Sequence, residues 1–206
     1  MINNNKKNSF SPRSQYGFKV DRIYRILLSV NEKPKSWYQI AKKANVAYGW
    51  AHKILTNLQK DELINGPDVI NPRQLFELWS NRLSHILYRG YHVQRPENLI
   101  KDSHLNYAIT TYYGENLIGD YLFPRFLDIY IHKDDALKWH SLLIENGYVG
   151  KGNVRVFLND DHVFWDNNTI EGWAVVSIQQ LIVDLIREGA ECLEAANLLI
   201  KRFYND

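Results

Sequence analysis

The segment at residues 36–64 constrains the fold of this chain more than any other. It reads SWYQIAKKANVAYGWAHKILTNLQKDELI, in which apolar residues recur at helical spacing on either side of a turn at residues 45–46. Ser36 suits an N-cap, with Gln39 three positions later to complete a capping box. After the turn, Ala51, Leu55 and Leu58 form the apolar stripe that is expected to face the core. The pattern predicts two short helices joined by a tight turn.

A helix is predicted before this pair and a hairpin after it. Apolar residues at helical spacing predict a helix over 19–30, and Pro34 separates that helix from the pair. Residues 63–64 begin a short strand, and the sequence NGPD at 65–68 is typical of a turn between two strands. Three helices followed by a short hairpin are typical of a winged helix-turn-helix, a fold that usually binds duplex DNA.

Charge divides the chain into two parts. Residues 1–64 contain 12 Lys and Arg against 4 Asp and Glu, whereas residues 65–206 contain 13 against 19. A basic part joined to an acidic part favours a nucleic-acid-binding unit attached to a second domain. Asn71-Pro72 is a favourable helix start and marks the junction. The predicted organisation is therefore a disordered tail at 1–15, a winged helix-turn-helix domain at 16–70 and a second domain at 71–206.

The polar face of the second helix in the pair is the predicted DNA-reading surface, because the recognition helix of this fold enters the major groove. Its side chains are expected to contact base edges or phosphates, and Gly49 leaves space for a close approach of the backbone. The alternative for the lysines is an ordinary solvated helix face, and Trp50 is expected to pack on the core. The predicted DNA-binding residues are Ser36, Lys42, Lys43, Tyr48, Gly49, His52, Lys53, Thr56 and Asn57.

Residues 71–206 predict a mixed α/β domain, so the whole chain is assigned to the α+β class. After a long helix from Asn71 to about Arg89, segments rich in β-branched and aromatic residues alternate with amphipathic ones. The predicted strands are 107–112, 126–132, 154–158, 163–166 and 173–176. The predicted helices are 114–121, 134–146 with Gly147 as C-cap, one that starts after Ser177 with Gln180 as its capping partner and ends at Gly189, and 191–203.

The C-terminal segment resembles a recurring ending in AbiEi-type proteins, where a strand runs into Val-Ser, a Leu-x-x-Asp-Leu helix, a Gly and a helix with Glu-Ala-Ala. The matching residues here are Val176-Ser177, Leu181, Asp184-Leu185, Gly189 and Glu194-Ala195-Ala196. Two upstream segments are also similar to the family: Asn71-Pro72 with Leu75 and Trp79, and Tyr107-Ala108-Ile109-Thr110.

The resemblance implies a transcriptional regulator that binds double-stranded DNA. Some members of the family are antitoxins and autorepressors of type IV toxin-antitoxin pairs, with a toxin protein encoded nearby, whereas many relatives are stand-alone regulators. The resemblance is compatible with both, and a toxin partner does not follow from it. The second domain of the family resembles a nucleotidyltransferase fold that has lost its active site. A homodimer is a further expectation for this chain.

Catalysis is not expected from the second domain. A nucleotidyltransferase needs a Gly-Ser turn and two carboxylates at Asp-x-Asp spacing to hold Mg²⁺. Here the Ser position is Glu115 and the second carboxylate position is Tyr130, which leaves Asp128 alone. We therefore expect no enzyme activity, no cofactor and no metal site. Two alternatives stay open: a divergent nucleotidyltransferase, and a protein-interaction module that uses the winged helix.

Composition adds limits on location and redox chemistry. No apolar run in the 206 residues approaches the roughly 18–20 residues that span a bilayer, and the first residues are polar. Cys192 is the only cysteine, which excludes an intrachain disulfide. Its neighbours Glu191, Leu193, Ala195 and Ala196 include no cation, which favours a structural role for this thiol because reactive thiols need cationic neighbours. The expectation is a cytoplasmic protein with no membrane partner.

Overall fold

The computed structural model describes residues 12–82 and 87–204, and within them the chain has an α+β fold. The helices are α1 (Pro12–Leu27), α2 (Trp37–Lys43), α3 (Tyr48–Lys60), α4 (Pro72–Ser80), α5 (Pro96–Lys101), α6 (Thr111–Gly119), α7 (Ala136–Glu145), α8 (Ile178–Glu188) and α9 (Glu191–Tyr204). The strands are β1 (Ile64–Asn65), β2 (Asp68–Val69), β3 (Leu87–Val93), β4 (Tyr107–Thr110), β5 (Leu127–Ile131), β6 (Gly147–Val149), β7 (Val154–Leu158), β8 (Asn168–Ile170) and β9 (Trp173–Val175).

The first part of the fold consists of α1, α2, α3 and a hairpin of β1 and β2. The Ser36 hydroxyl caps α2 by accepting from the backbone N–H of Gln39 at 3.2 Å. The Gln39 side chain accepts from the N–H of Lys35 at 2.6 Å, one residue earlier than in a capping box. Gly66 sits in the hairpin turn with φ of 60°, a left-handed conformation that glycine adopts at no steric cost.

The second part contains a seven-stranded sheet in the order β6-β3-β7-β5-β4-β9-β8. The pairs β5–β7 and β4–β9 are parallel, and the other neighbours are antiparallel. Both faces of the sheet are covered, as the alternation in β5 demonstrates. Ile129 and Ile131 join a core with Trp139 of α7, whereas Tyr130 joins a second core with Leu181 of α8.

Three local predictions are wrong at the ends of elements. The long helix predicted to about Arg89 stops at Ser80, and residues 87–93 form β3; Leu83 and Ile86 of that prediction lie outside the described residues. Gly147 begins β6, where it pairs with Val93 of β3, and Asn146 is the C-cap of α7 instead. A Cβ on Gly147 would lie 2.0 Å from the backbone oxygen of His92, so this pairing requires glycine. Helix α1 begins at Pro12, within the segment predicted to be a disordered tail, and residues 1–11 lie outside the described residues.

Two predictions around the last helices are also wrong. The strand predicted at 163–166 is a 3₁₀ helix, Asp161–Phe164, because the Asp160 carboxylate accepts from the N–H of His162 and starts a tight turn. The Ser177 hydroxyl makes no hydrogen bond within the described residues, so it does not cap α8. Its predicted partner Gln180 points instead toward α1.

The predicted domain boundary at residue 71 lies within one continuous hydrophobic core. Ile23 of α1, Leu55 of α3 and Leu185 of α8 belong to the same cluster of fully buried side chains. Helix α4 connects the two parts, and the indole of Trp79 stacks 6.2 Å from the ring of Tyr24 in α1. The basic part and the acidic part therefore form one body.

A buried arginine lies at the centre of the contact between the two parts. The Arg25 side chain is 1% exposed, and its Nε and one terminal nitrogen donate to Oε1 of Gln180 at 3.0 and 2.7 Å. The other terminal nitrogen donates to Nδ1 of His162 at 2.9 Å, since arginine has only donors. Nε2 of His162 therefore carries the proton and donates to the carbonyl of Lys43 in α2 at 3.0 Å. Burial and the Arg25 charge lower the pKa of His162 to about 4, which keeps the ring neutral.

The network continues from Gln180 into the sheet. The Asp184 carboxylate accepts from the Gln180 amide at 2.8 Å, from the Tyr130 hydroxyl at 3.1 Å and from the Thr110 hydroxyl at 2.7 Å. The four side chains Gln180, Asp184, Tyr130 and Thr110 all belong to the second part of the fold. Through its bonds to Gln180, Arg25 therefore ties α1 to both α8 and the sheet. Buried polar groups that have all their partners favour a single arrangement of the elements that carry them.

Gln180→Leu should destabilise the fold strongly, because it removes two acceptor contacts from the buried Arg25 charge. We expect a loss of about 3 kcal/mol in the free energy of unfolding, because a buried charged donor without its acceptor costs more than the roughly 1–3 kcal/mol typical of a neutral group. The matched control is Gln179→Leu: this neighbouring glutamine is also fully buried, but its amide has no hydrogen-bond partner within the described residues. In urea unfolding, the free energy of unfolding of Gln179→Leu should equal or exceed that of wild type. Equal losses in both variants would contradict the role of Gln180.

Asp21→Asn should change how stability depends on pH. Burial raises the pKa of the Asp21 carboxyl to about 6, against the opposing effect of Arg187 and Arg25. Between about pH 4 and pH 6 the folded wild type binds a proton that the unfolded chain has released, so this carboxyl costs stability as pH rises. The variant should therefore gain about 3 kcal/mol relative to wild type across this window and then level off. Urea unfolding from pH 4 to pH 7 measures the difference, and a constant difference would contradict the prediction.

Candidate nucleic-acid interface

Helix α3 has one face in the core and one face in solvent. Ala51, Leu55 and Leu58 are buried, at the spacing of one helical stripe. The opposite face is exposed and carries predicted DNA-binding residues: Tyr48, Gly49, His52, Lys53 and Asn57. Thr56 lies at the margin of this face and Trp50 packs against the core, as predicted. We call these exposed residues, together with Thr56, the α3 outer face.

Aromatic side chains from α2 support the start of the α3 outer face. The ring of Tyr48 lies 6.1 Å from the ring of Tyr38 and 5.8 Å from the ring of His52. The indole of Trp37 meets His52 edge to face at 5.1 Å, and the Thr56 hydroxyl lies 3.4 Å from Nδ1 of His52. Contacts with Tyr48, Trp37 and Thr56 therefore fix the position of the exposed His52 ring.

The hairpin turn is attached to both helices of the pair. Nε1 of Trp37 donates to the carbonyl of Gly66 at 2.6 Å, and the N–H of Gly66 donates to Oε1 of Gln59 at 3.0 Å. Sequence reasoning missed Trp37, Tyr38 and Gln59, although an aromatic pair directly after an N-cap is a visible signal. The hairpin thus lies beside α3 in a fixed position.

Charge along α2 and α3 is positive. Residues 33–60 contain six lysines and no Asp or Glu, and Lys42 and Lys53 are exposed. Three exposed acidic residues follow: Asp61 and Glu62 directly after α3, and Asp68 in the hairpin. Lys43 differs from its prediction: its ammonium forms a salt bridge with Glu32 and lies 5.9 Å from the ring of Trp165. Lys43 therefore faces the junction between the two parts rather than the α3 outer face.

Two predicted contact residues have contrasting local roles. Ser36 accepts a capping hydrogen bond from the N–H of Gln39, which leaves its own hydroxyl proton available to a phosphate oxygen. Gly49 is exposed, and a Cβ added to it would have no atom within 4 Å. Packing within the protein therefore does not require glycine at this position.

In the second domain, the residue at the nucleotidyltransferase carboxylate position forms an ion pair. Asp128 is fully buried, and its carboxylate accepts from the Arg155 guanidinium at 2.6 and 2.5 Å and from the hydroxyl of Thr111. Glu188 accepts from the same guanidinium at 2.9 Å. Burial opposes the charged form of Arg155, but the two carboxylates outweigh it and raise the pKa of this group. The oxygens of Asp128 are thus committed to protein donors.

The two residues that replace the nucleotidyltransferase pattern also have protein partners. Tyr130 donates to Asp184, and the buried Glu115 carboxylate accepts from the N–H of Leu122 at 2.7 Å. Across residues 12–82 and 87–204, no three His, Cys, Asp or Glu side chains are grouped so that they could hold a metal ion. No helix in these ranges is long and apolar enough to cross a membrane.

Comparisons with protein-family models, with curated proteins and with solved structures find no match to this chain. The resemblance to AbiEi-type proteins therefore stays a prediction.

Gly49→Ala should stabilise the folded protein. Alanine has the higher helix propensity, and the added methyl group meets no neighbour, so we expect a gain of up to about 1 kcal/mol. Thermal unfolding followed by circular dichroism measures this gain. A loss of stability would mean that the start of α3 is packed differently from the description above.

Proposed function

We propose that this chain is a sequence-specific transcriptional regulator that binds double-stranded DNA through residues 16–70, which act as a winged helix-turn-helix. The observation that carries the proposal is the α3 outer face, which is exposed, free of acidic residues and supported from behind by α2. Helix α3 is the recognition helix in this proposal, and the hairpin is a short wing beside it.

The residues of this face suit the two kinds of contact that DNA recognition needs. His52, Lys53 and Asn57 offer donors that match acceptors on base edges in the major groove, and Asn57 also offers an acceptor. Lys42 at the end of α2 and Ser36 at its start are placed for phosphate contacts, which fix orientation without reading sequence. Because Gly49 has no internal packing role, its value lies in letting another backbone approach closely.

The acidic α/β part serves as the partner-binding part in this proposal. Its negative charge disfavours contact with DNA and favours a basic protein surface. The resemblance to AbiEi-type proteins extends the proposal to an antitoxin that represses its own operon, with a toxin encoded nearby, and to a homodimer. A catalytic role is not proposed, because Asp128 is already paired with Arg155.

Combined replacement of His52 and Lys53 by Ala should weaken specific DNA binding at least tenfold, since one good base contact contributes about 1–3 kcal/mol. The measurement is fluorescence anisotropy with the DNA upstream of the chain's own gene and with a scrambled duplex, across a series of salt concentrations. Wild type should prefer the upstream duplex, and its affinity should fall steeply with salt.

The matched control is Lys201→Ala, which removes an exposed lysine from α9 in the acidic part and should leave affinity unchanged. Gly49→Ala gives a second test, because it should weaken DNA binding while stabilising the fold. Unchanged affinity in the His52 and Lys53 variant would refute the assignment of the α3 outer face. Absence of binding to any duplex at low salt would instead favour a protein-interaction module.

A further inference from the structure

A cavity of about 820 Å³ opens in the α/β part, and none of the residues proposed to contact DNA lines it. It lies between β3, the connection from β6 to β7, and the segment that leads into β5. The side chains that give it chemical character are Arg125, Phe126, Val149, Lys151 and Arg155. Its volume falls within the range of about 300–1,000 Å³ that is usual for small-molecule sites.

The backbone wall of this cavity is fixed before any ligand arrives. The N–H of Gly150 donates to the carbonyl of Gly90 at 3.0 Å, and a Cβ on Gly90 would lie only 2.6 Å from the oxygen of Gly150. The Asn153 amide donates to the carbonyl of Val93 and accepts from its N–H, both at 2.9 Å. A wall that is already ordered reduces the entropic cost of binding.

The lining carries positive charge and no negative charge. Arg125, Lys151 and Arg155 all line the cavity, and none of the described lining residues is Asp or Glu. Arg155 is neutralised by carboxylates behind it, and Arg125 reaches Glu191 at 3.2 Å. Lys151 is exposed and forms no ion pair with any carboxylate among the residues that the structure describes. Lys151 is therefore a cation available to a ligand at the entrance.

The same lining offers flat and apolar surface. The guanidinium of Arg125 lies 4.7 Å from the ring centroid of Phe126, and that of Arg155 lies 4.6 Å from it. Guanidinium planes and aromatic rings both stack on planar groups. Val149 is 49% exposed and adds an aliphatic surface beside them.

We propose that this cavity binds a small organic phosphate that carries a planar apolar group. Lys151 binds the phosphate as the lining cation without an ion pair, and Arg125 adds the N–H groups that its contact with Glu191 leaves unused. Phe126 and Val149 contact the planar group. The site is independent of the α3 outer face, so its existence does not depend on the proposed DNA binding.

The test uses 1-naphthyl phosphate as the probe, with inorganic phosphate and 1-naphthol as its two halves. Titration of the full chain, followed by naphthyl fluorescence and calorimetry, should give saturable binding of one probe per chain. The probe should bind at least tenfold more tightly than either half, because the cations and the apolar wall act on one molecule.

Lys151→Glu should weaken binding of the probe at least tenfold, with an unchanged thermal midpoint because the side chain is exposed. The matched control is Lys201→Glu, which makes the same charge change on α9 and should bind the probe like wild type. Val149→Asp is a second variant, which places a carboxylate in the lining and should also weaken binding. Absence of saturable binding to wild type, or equal affinity in Lys151→Glu and its control, would overturn the proposal.

Discussion

The arrangement of this molecule depends on Arg25, a charged side chain that has been taken almost completely out of water. Burying a charge costs several kcal/mol unless nearby groups satisfy it. Gln180 and His162 supply acceptors, and each belongs to an element of the α/β part. The neutral His162 ring then donates to the last turn of α2. One buried network therefore fixes α1 and α2 relative to the sheet, and α3 packs on the same core.

This fixed arrangement would matter for the proposed DNA recognition. A reading helix on a flexible linker must be ordered when it binds, whereas α3 is already held in place against the rest of the body. Trp37 holds both His52 and the hairpin turn, so the face and the wing keep one geometry. In the proposed DNA complex the acidic part would stay fixed relative to α3, and the field of both parts would orient the protein on the duplex.

Local signals in the sequence predicted the elements that depend on local interactions. The caps at Ser36 and Asn71 and the hairpin turn follow from side chains that bond to the backbone within a few residues. Strand β3 was missed because it is defined by pairing with β6 and β7, about 60 residues away along the chain. Periodicity identified the outward residues of α3, but it gave no sign that Lys43 pairs with Glu32 or that Trp37 supports the hairpin. Those contacts depend on how elements meet in three dimensions.

Hydrogen–deuterium exchange measured by mass spectrometry, with and without the upstream duplex, would map the surface that contacts DNA. In the proposed complex, α3 and the adjoining hairpin contact DNA while the α/β part stays free. The predicted result is slower exchange in peptides that cover residues 36–69, with little change in peptides that cover α7 and β6. Protection confined to the α/β part, with exchange in α3 unaffected by bound DNA, would contradict the proposal.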